Sequence, residues 1–354
     1  MKQRIAYFDL LKGIAIFLVV MGHALTMCIR QIDAAFLFKI IGEVHMPVFF
    51  FISGFLTYKT ASGQDFMPPK LKKRFVQLII PFLVVSALWI WYFPHSHLMS
   101  PISSCLQDMY CSYWKDGYWF TLCLFELFVI YLPLSKILSR LKTLWQQVAA
   151  SVAVYAALIA LAQFVSFPDE NLDIAGIGLL TRFFPIFMAG VFANRYKEAY
   201  QRICADSRWF TAAAILFILT WYSAVYSWEL PFLPSWSQYI ASPIEHFSLI
   251  IIAVAAISPW SAKQFAADSH PSAVARYFDY LGKESLSIYL LHYFFLFPLT
   301  PLQEPLKMIG LPLVPLTLIS AAIAFAVIAV TLFVAYLISK SKLLSLLLIG
   351  KNQF

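Results

Sequence analysis

Charge is what this chain has least of. Asp, Glu, Lys and Arg make up 12% of its 354 residues, against 61% hydrophobic. Soluble domains carry roughly a quarter charged residues, so a single water-soluble core is excluded, and the mean hydropathy of +0.75 agrees. Cysteine is sparse: Cys28, Cys105, Cys111, Cys123 and Cys204 show no metal-ligand spacing. Cys105 and Cys111 share one loop and could bridge in an oxidising compartment, but free thiols are the preferred reading. No glycine-rich phosphate loop, internal repeat or low-complexity tract is present, and no metal or nucleic-acid partner is expected. No cleaved signal is expected either, and the start reads as a retained first span. Gly13 and His23 interrupt the first apolar run and no small-x-small site follows. No loop is long enough for a soluble domain. One membrane-embedded domain over residues 1–354 is expected.

What remains is a series of apolar runs of about twenty residues, the length that crosses a bilayer. Ten spans are expected, at 10–29, 36–58, 76–94, 118–135, 147–166, 175–193, 209–227, 238–257, 284–300 and 313–338. Pro47 is expected to break the second. The fold class is an all-α polytopic membrane protein. Placing the N-terminus in the cytoplasm puts all but five of the 26 basic residues on the inner side. The exceptions are Arg30, Lys39, Lys115, Arg182 and Lys307, while the outer segment Asp169-Glu170-Asn171-Leu172-Asp173 carries only negative charge. Both termini are therefore expected in the cytoplasm.

Against this apolar background the intramembrane ionisable residues stand out, because each is costly in lipid and marks a site by default. His23 lies roughly 10 Å inside the outer end of the first span. His45, Glu126, Arg182, Glu245 with His246, and His292 reach similar depths in five other spans. Each alone has a structural reading: a histidine bonded to a helix carbonyl, or Glu126 and Arg182 as a buried ion pair. Their common depth favours a shared polar pocket. Lys12 and His23 are eleven residues apart, three turns plus about 20°, and share one face some 16 Å apart. Asp9 lies near the same stripe. Trp119, Leu122 and Glu126 share a face of the fourth span, and Ser285, Tyr289 and His292 a face of the ninth. The densest basic cluster, Lys70-Leu71-Lys72-Lys73-Arg74, suits anionic lipid headgroups or a phosphorylated cytosolic ligand.

These stretches resemble acyltransferase family 3, a family of integral membrane O-acyltransferases. The similarity runs through Phe8-Asp9-Leu10-Leu11-Lys12-Gly13-Ile14-Ala15 with Gly22-His23, and His45-Met46-Pro47-Val48-Phe49-Phe50-Phe51-Ile52-Ser53-Gly54-Phe55. It continues with Lys73-Arg74 and Pro81, Trp119-Phe120 with Glu126, Arg182 with Pro185, Phe187 and Gly190, and Leu281 to His292. Two positions depart from the family pattern. Lys12 stands where Arg is common, which keeps the charge but loses the bidentate fork, and Gln77 stands where a second Arg often follows the basic cluster. No hydrolase-like segment follows the last span, so a stand-alone membrane enzyme is expected.

The resemblance implies transfer of an acyl group, usually acetyl from acetyl-CoA, to a hydroxyl of a glycan or similar acceptor at the bacterial inner membrane. His23 would be the general base, with Glu126 orienting an imidazole or the acceptor. Lys12, Lys72, Lys73 and Arg74 would hold coenzyme A phosphates. Asp9, His45, Ser53, Trp119, Arg182, Tyr289 and His292 would contact substrate or support those that do. Direct transfer and an acyl-histidine relay both fit. A secondary transporter, or a polysaccharide or lipid export component without catalysis, remains the alternative. The first predicts symmetry between halves, and the second predicts that His23→Ala leaves function intact.

Overall fold

Backbone polar groups in lipid must be satisfied within the chain, and this protein satisfies them with helices. The computed structural model describes residues 5–29, 35–61, 68–92, 106, 109–112, 115–165, 173, 176–225, 238–266, 269–301, 303 and 313–351. Helix α1, Ala6–His23, runs directly into a six-residue π segment, Ala24–Ile29. Helices α2 (Ala35–Ala61) and α3 (Pro68–Tyr92) follow. A 3-10 turn at Lys115–Gly117 leads into α4 (Trp119–Arg140), α5 (Leu144–Val165) and α6 (Ile177–Arg195). Helices α7 (Lys197–Ala205) and α8 (Ser207–Val225) meet at an 80° bend. Next come α9 (Gln238–Gln264), the amphipathic α10 (Ala273–Lys283) and α11 (Ser285–Leu291), which tightens into a 3-10 turn at His292–Phe295. Helices α12 (Leu313–Ile338) and α13 (Lys342–Ile349) close the described chain.

Among the described residues, eight helices are long and apolar enough to cross a membrane, or nine with the bent α7–α8 pair. The ten expected spans map onto these nine and the shorter apolar stretch Ser285–Phe295. Large side chains face outward along them: Trp145 is 80% exposed and Phe164 82%. Such exposure suits a lipid-facing surface and would be a liability in water. This is an integral, multi-pass membrane protein. One expectation changes. Helix α2 continues through Pro47, because a proline removes one N–H and its ladder bond, which the rest of a long apolar helix tolerates. The ninth segment is short, and within it His292 begins a separate 3-10 turn. Cys111 is a free thiol. Arg30, Cys105, Asp169 to Leu172 and Lys307 lie outside the described residues, as does the side chain of Lys70.

The chain divides into two compact units. The first comprises Met1–Ile52 and Tyr196–Lys340. Here α1 is the hub, packed against α9, α10, α11 and α12. Its crossing with α10 is set by two glycines used reciprocally. A Cβ on Gly13 would collide with the carbonyl oxygen of Phe278, and one on Gly282 with that of Asp9. Small residues at such crossings let backbones approach closely. Widening to a π segment leaves carbonyls without their usual helical donors. Cys28 O is satisfied from elsewhere, by Leu299 N at 3.0 Å and Gln303 Nε2 at 2.9 Å.

The second unit comprises Ser53–Arg195 and Ser341–Phe354. Helix α4 packs on α3 and α6, α5 on α6, and α13 on α3. The end of α2 lies so close to α6 that a Cβ on Gly54 would strike the Phe187 carbonyl. Asn194 Nδ2 donates to Phe55 O at 2.6 Å in the same contact. The Ser53-Gly54-Phe55 stretch therefore serves helix packing. Gly350 ends α13 with φ +64° against the backbone of Gln77, a position open only to glycine.

Candidate active site

In the first unit α1 carries Asp9, Lys12 and His23. Asp9 Oδ1 and Lys12 Nζ form an ion pair at 2.7 Å, one helical turn apart, with Asp9 buried and Lys12 22% exposed. His23 is half-buried in the last turn of α1 before the π segment. Short π stretches are frequent at functional sites. The His23 Nε2 lies 2.8 Å from the hydroxyl of Tyr293, and the two rings are 4.7 Å apart. Its Nδ1 meets no hydrogen-bonding group among the described residues. The His292 ring stands 5.4 Å from that of His23, is fully buried and lies 6.3 Å from the ring of Tyr289. The His292 Nδ1 donates to the carbonyls of Ile288 (2.9 Å) and Tyr289 (2.8 Å). His45 donates from Nδ1 to the Ile41 carbonyl of its own helix and lies within electrostatic reach of His23. Three predicted histidines thus gather in this unit, with one tyrosine the sequence did not single out.

The same unit holds a second polar chain. Buried His246 meets Glu43 Oε2 through Nε2 at 2.8 Å and Ser242 Oγ through Nδ1 at 3.2 Å. A carboxylate can only accept, so Nε2 carries the proton toward Glu43. Glu43 was missed because its place near the start of α2 reads as an interface. A cavity of about 690 Å³ lies beside the α7–α8 bend, walled by Tyr7, Tyr200, Cys204, Phe210 and Pro259. None of the predicted site residues lines it.

In the second unit Trp119 stacks on Phe183, centroids 5.2 Å apart and planes at 16°. The Arg182 guanidinium lies 5.7 Å from the Phe183 ring. Glu126 is half-buried; Oε2 faces Gly176 and has no hydrogen-bond partner among the described residues. Its electrostatic neighbours are Lys115 and Asp173. Lys115 is buried and donates from Nζ to the carbonyls of Asp173 (2.6 Å), Ser112 (3.1 Å) and Tyr110 (3.4 Å). Asp173 caps α6 by accepting from Ile177 N (2.7 Å) and Gly178 N (3.1 Å). Burial pulls the Lys115 ammonium below the usual lysine range against the opposing charges of Asp173 and Glu126. Burial likewise pushes the Asp173 carboxyl above its ordinary value, against Lys115 and the capping N–H groups. The basic cluster divides: Lys72 and Lys73 are exposed, whereas Arg74 turns inward to lie 4.6 Å from the Phe128 ring. Ser53 is half-buried, and its carbonyl accepts from Thr57.

With this geometry in place, comparison with known proteins is direct. A family model described as "Acyltransferase domain" matches residues 5–340. The chain belongs to this acyltransferase family. The match takes in both histidine-bearing ends of the first unit and the aromatic–carboxylate cluster of the second. The acyltransferase-family chain is also similar to proteins named Nodulation protein NolL. The one from Sinorhizobium fredii (strain NBRC 101917 / NGR234) is 28% identical over 238 residues, 63% of this chain and 59% of the relative. The one from Mesorhizobium japonicum (strain LMG 29417 / CECT 9101 / MAFF 303099) is 33% identical over 161 residues, 44% of this chain and 42% of the relative. The matched region thus spans about half the length of these relatives. No solved structure matches the chain.

Proposed function

We propose that this protein transfers an acetyl or similar acyl group from cytosolic acyl-CoA to a hydroxyl of a cell-envelope glycan or related acceptor, at the bacterial inner membrane. The observation that carries this reading is the His23–Tyr293 contact. A hydroxyl is a poor nucleophile near neutral pH until a base accepts its proton. When His23 Nε2–H donates to the Tyr293 oxygen, Nδ1 holds the lone pair and is the side of the ring without a hydrogen-bond partner among the described residues. Nδ1 takes the proton of the attacking hydroxyl, and Tyr293 holds the ring in that tautomer. The thioester C–S bond then breaks and the proton leaves with the thiol. Family membership supports the reaction class.

Lys12, paired with Asp9 on the same helix as His23, is the proposed anchor for coenzyme A phosphates in the first unit; Lys72, Lys73 and Arg74 are the cations that the family resemblance offers in the second. In the second unit the Trp119–Phe183 stack sets an apolar face beside the positive charge of Arg182. The test is chemical analysis of envelope glycans from cells with the wild-type gene, without it, and with His23→Ala. Base-labile acyl esters are expected only with the wild type. Esters persisting in the His23→Ala strain would remove His23 from the reaction.

A further inference from the structure

The proposed base leaves a second basic nitrogen unexplained. The His292 Nδ1 is committed as a donor to two carbonyls, at 2.9 and 2.8 Å. A neutral imidazole with its proton on Nδ1 has a lone pair on Nε2. That Nε2 is buried and has no hydrogen-bond partner among the described residues. A buried acceptor left unsatisfied is costly, and native proteins rarely keep one without a use for it. The ring it belongs to lies 5.4 Å from that of His23. Two imidazoles therefore stand together, each with one nitrogen held by protein and one without a hydrogen-bond partner among the described residues.

We propose that His292 Nε2 and His23 Nδ1 together recognise a vicinal diol, so that the acyl acceptor is a polyol carrying neighbouring hydroxyls. This rests on the acyl-transfer reading above. One hydroxyl gives its proton to His23 and attacks the acyl carbon. Its neighbour donates a hydrogen bond to His292 Nε2 and undergoes no bond change. A simple alcohol supplies the first group and leaves Nε2 unsatisfied. Such a site discriminates against a ligand lacking the second hydroxyl, because its own buried group is then unpaired. His292 is thereby a recognition group for the acceptor.

The test uses purified full-length protein in nanodiscs with acetyl-CoA, and ethylene glycol or ethanol as acceptor at equal concentration. The wild type is expected to favour ethylene glycol by about five- to tenfold beyond the statistical factor of two for its extra hydroxyl. His292→Asn keeps an N–H near the Nδ1 position and deletes Nε2. It is expected to lose the preference, so that ethylene glycol and ethanol react alike per hydroxyl. No preference in the wild type, or one that survives His292→Asn, would overturn the proposal. A second measurement does not depend on acyl-CoA: the imidazole ¹⁵N spectrum of His292. Its Nε2 resonance is expected at the position of an unprotonated nitrogen and to shift upfield with ethylene glycol but not ethanol. A protonated Nε2, or no shift, counts against the diol site even if acetyl-CoA is not the donor. An intact shift without acetyl transfer counts against the donor alone.

Discussion

The smallest change that tests the site is removal of one oxygen. Tyr293→Phe leaves the ring beside His23 and deletes the hydroxyl 2.8 Å from Nε2. A neutral hydrogen bond of this kind is worth up to about a factor of ten, so kcat should fall about tenfold with KM for acyl-CoA unchanged. Lys12→Ala should do the reverse, raising that KM with a smaller effect on kcat; steady-state kinetics on both variants separates the roles. Lys115 and Asp173 give a prediction in pH. With the lysine value lowered by burial, the folded state binds fewer protons than the unfolded chain below 10.5, and stability rises as pH climbs through that window. With the aspartate value raised, the folded state holds a proton above 3.8, and stability falls as pH rises through that window. Thermal unfolding against pH should show both slopes, the alkaline one lost in Lys115→Met and the acidic one in Asp173→Asn. Lys115→Met should also lower Tm at neutral pH, since three carbonyls lose their donor. His23 and His292 were legible in the sequence because an imidazole in an apolar run is costly. Tyr293 was not, since one more aromatic in a membrane segment signals nothing until the backbone tightens and turns it toward α1.

Among elements, the crossing of α1 with α10 matters most, because Asp9 is both half of the Lys12 ion pair and the backbone that Gly282 touches. A methyl group at Gly13 or Gly282 forces the helices apart. Overpacking of this kind costs about 1–3 kcal/mol, so Gly13→Ala and Gly282→Ala should each lower Tm, and the double variant should fall short of additivity because both report one contact. A melting temperature unchanged in both would show that the helices do not meet this way. Both glycines lie in stretches that resembled the acyltransferase family, yet nothing in the spacing showed that they face each other. Long apolar helices were read well from hydropathy. The 3-10 turn at His292 and the π segment after His23 were not, since both are hydrogen-bond shifts of one residue inside apolar runs whose composition is unaltered. Pro47 misled in the opposite direction, because a missing N–H does not end a helix of 27 residues.

For the whole molecule, the apolar composition and the succession of long apolar helices agree with a multi-pass membrane protein, and the chain belongs to the acyltransferase family. The charge bias also predicts orientation. A single cysteine introduced at Lys142 or Lys263 in a cysteine-free background should be shielded from a membrane-impermeant maleimide in intact cells and labelled after lysis. Labelling of intact cells would reverse the topology. The central claim is that His23 carries the chemistry, and its most direct measurement is acyl-CoA turnover by purified protein in nanodiscs. Wild type should consume acetyl-CoA slowly with water as acceptor. His23→Ala should reduce that rate by about a hundredfold or more, with thermal unfolding and acetyl-CoA affinity unchanged. Turnover retained within about twofold in a folded His23→Ala protein would contradict the account.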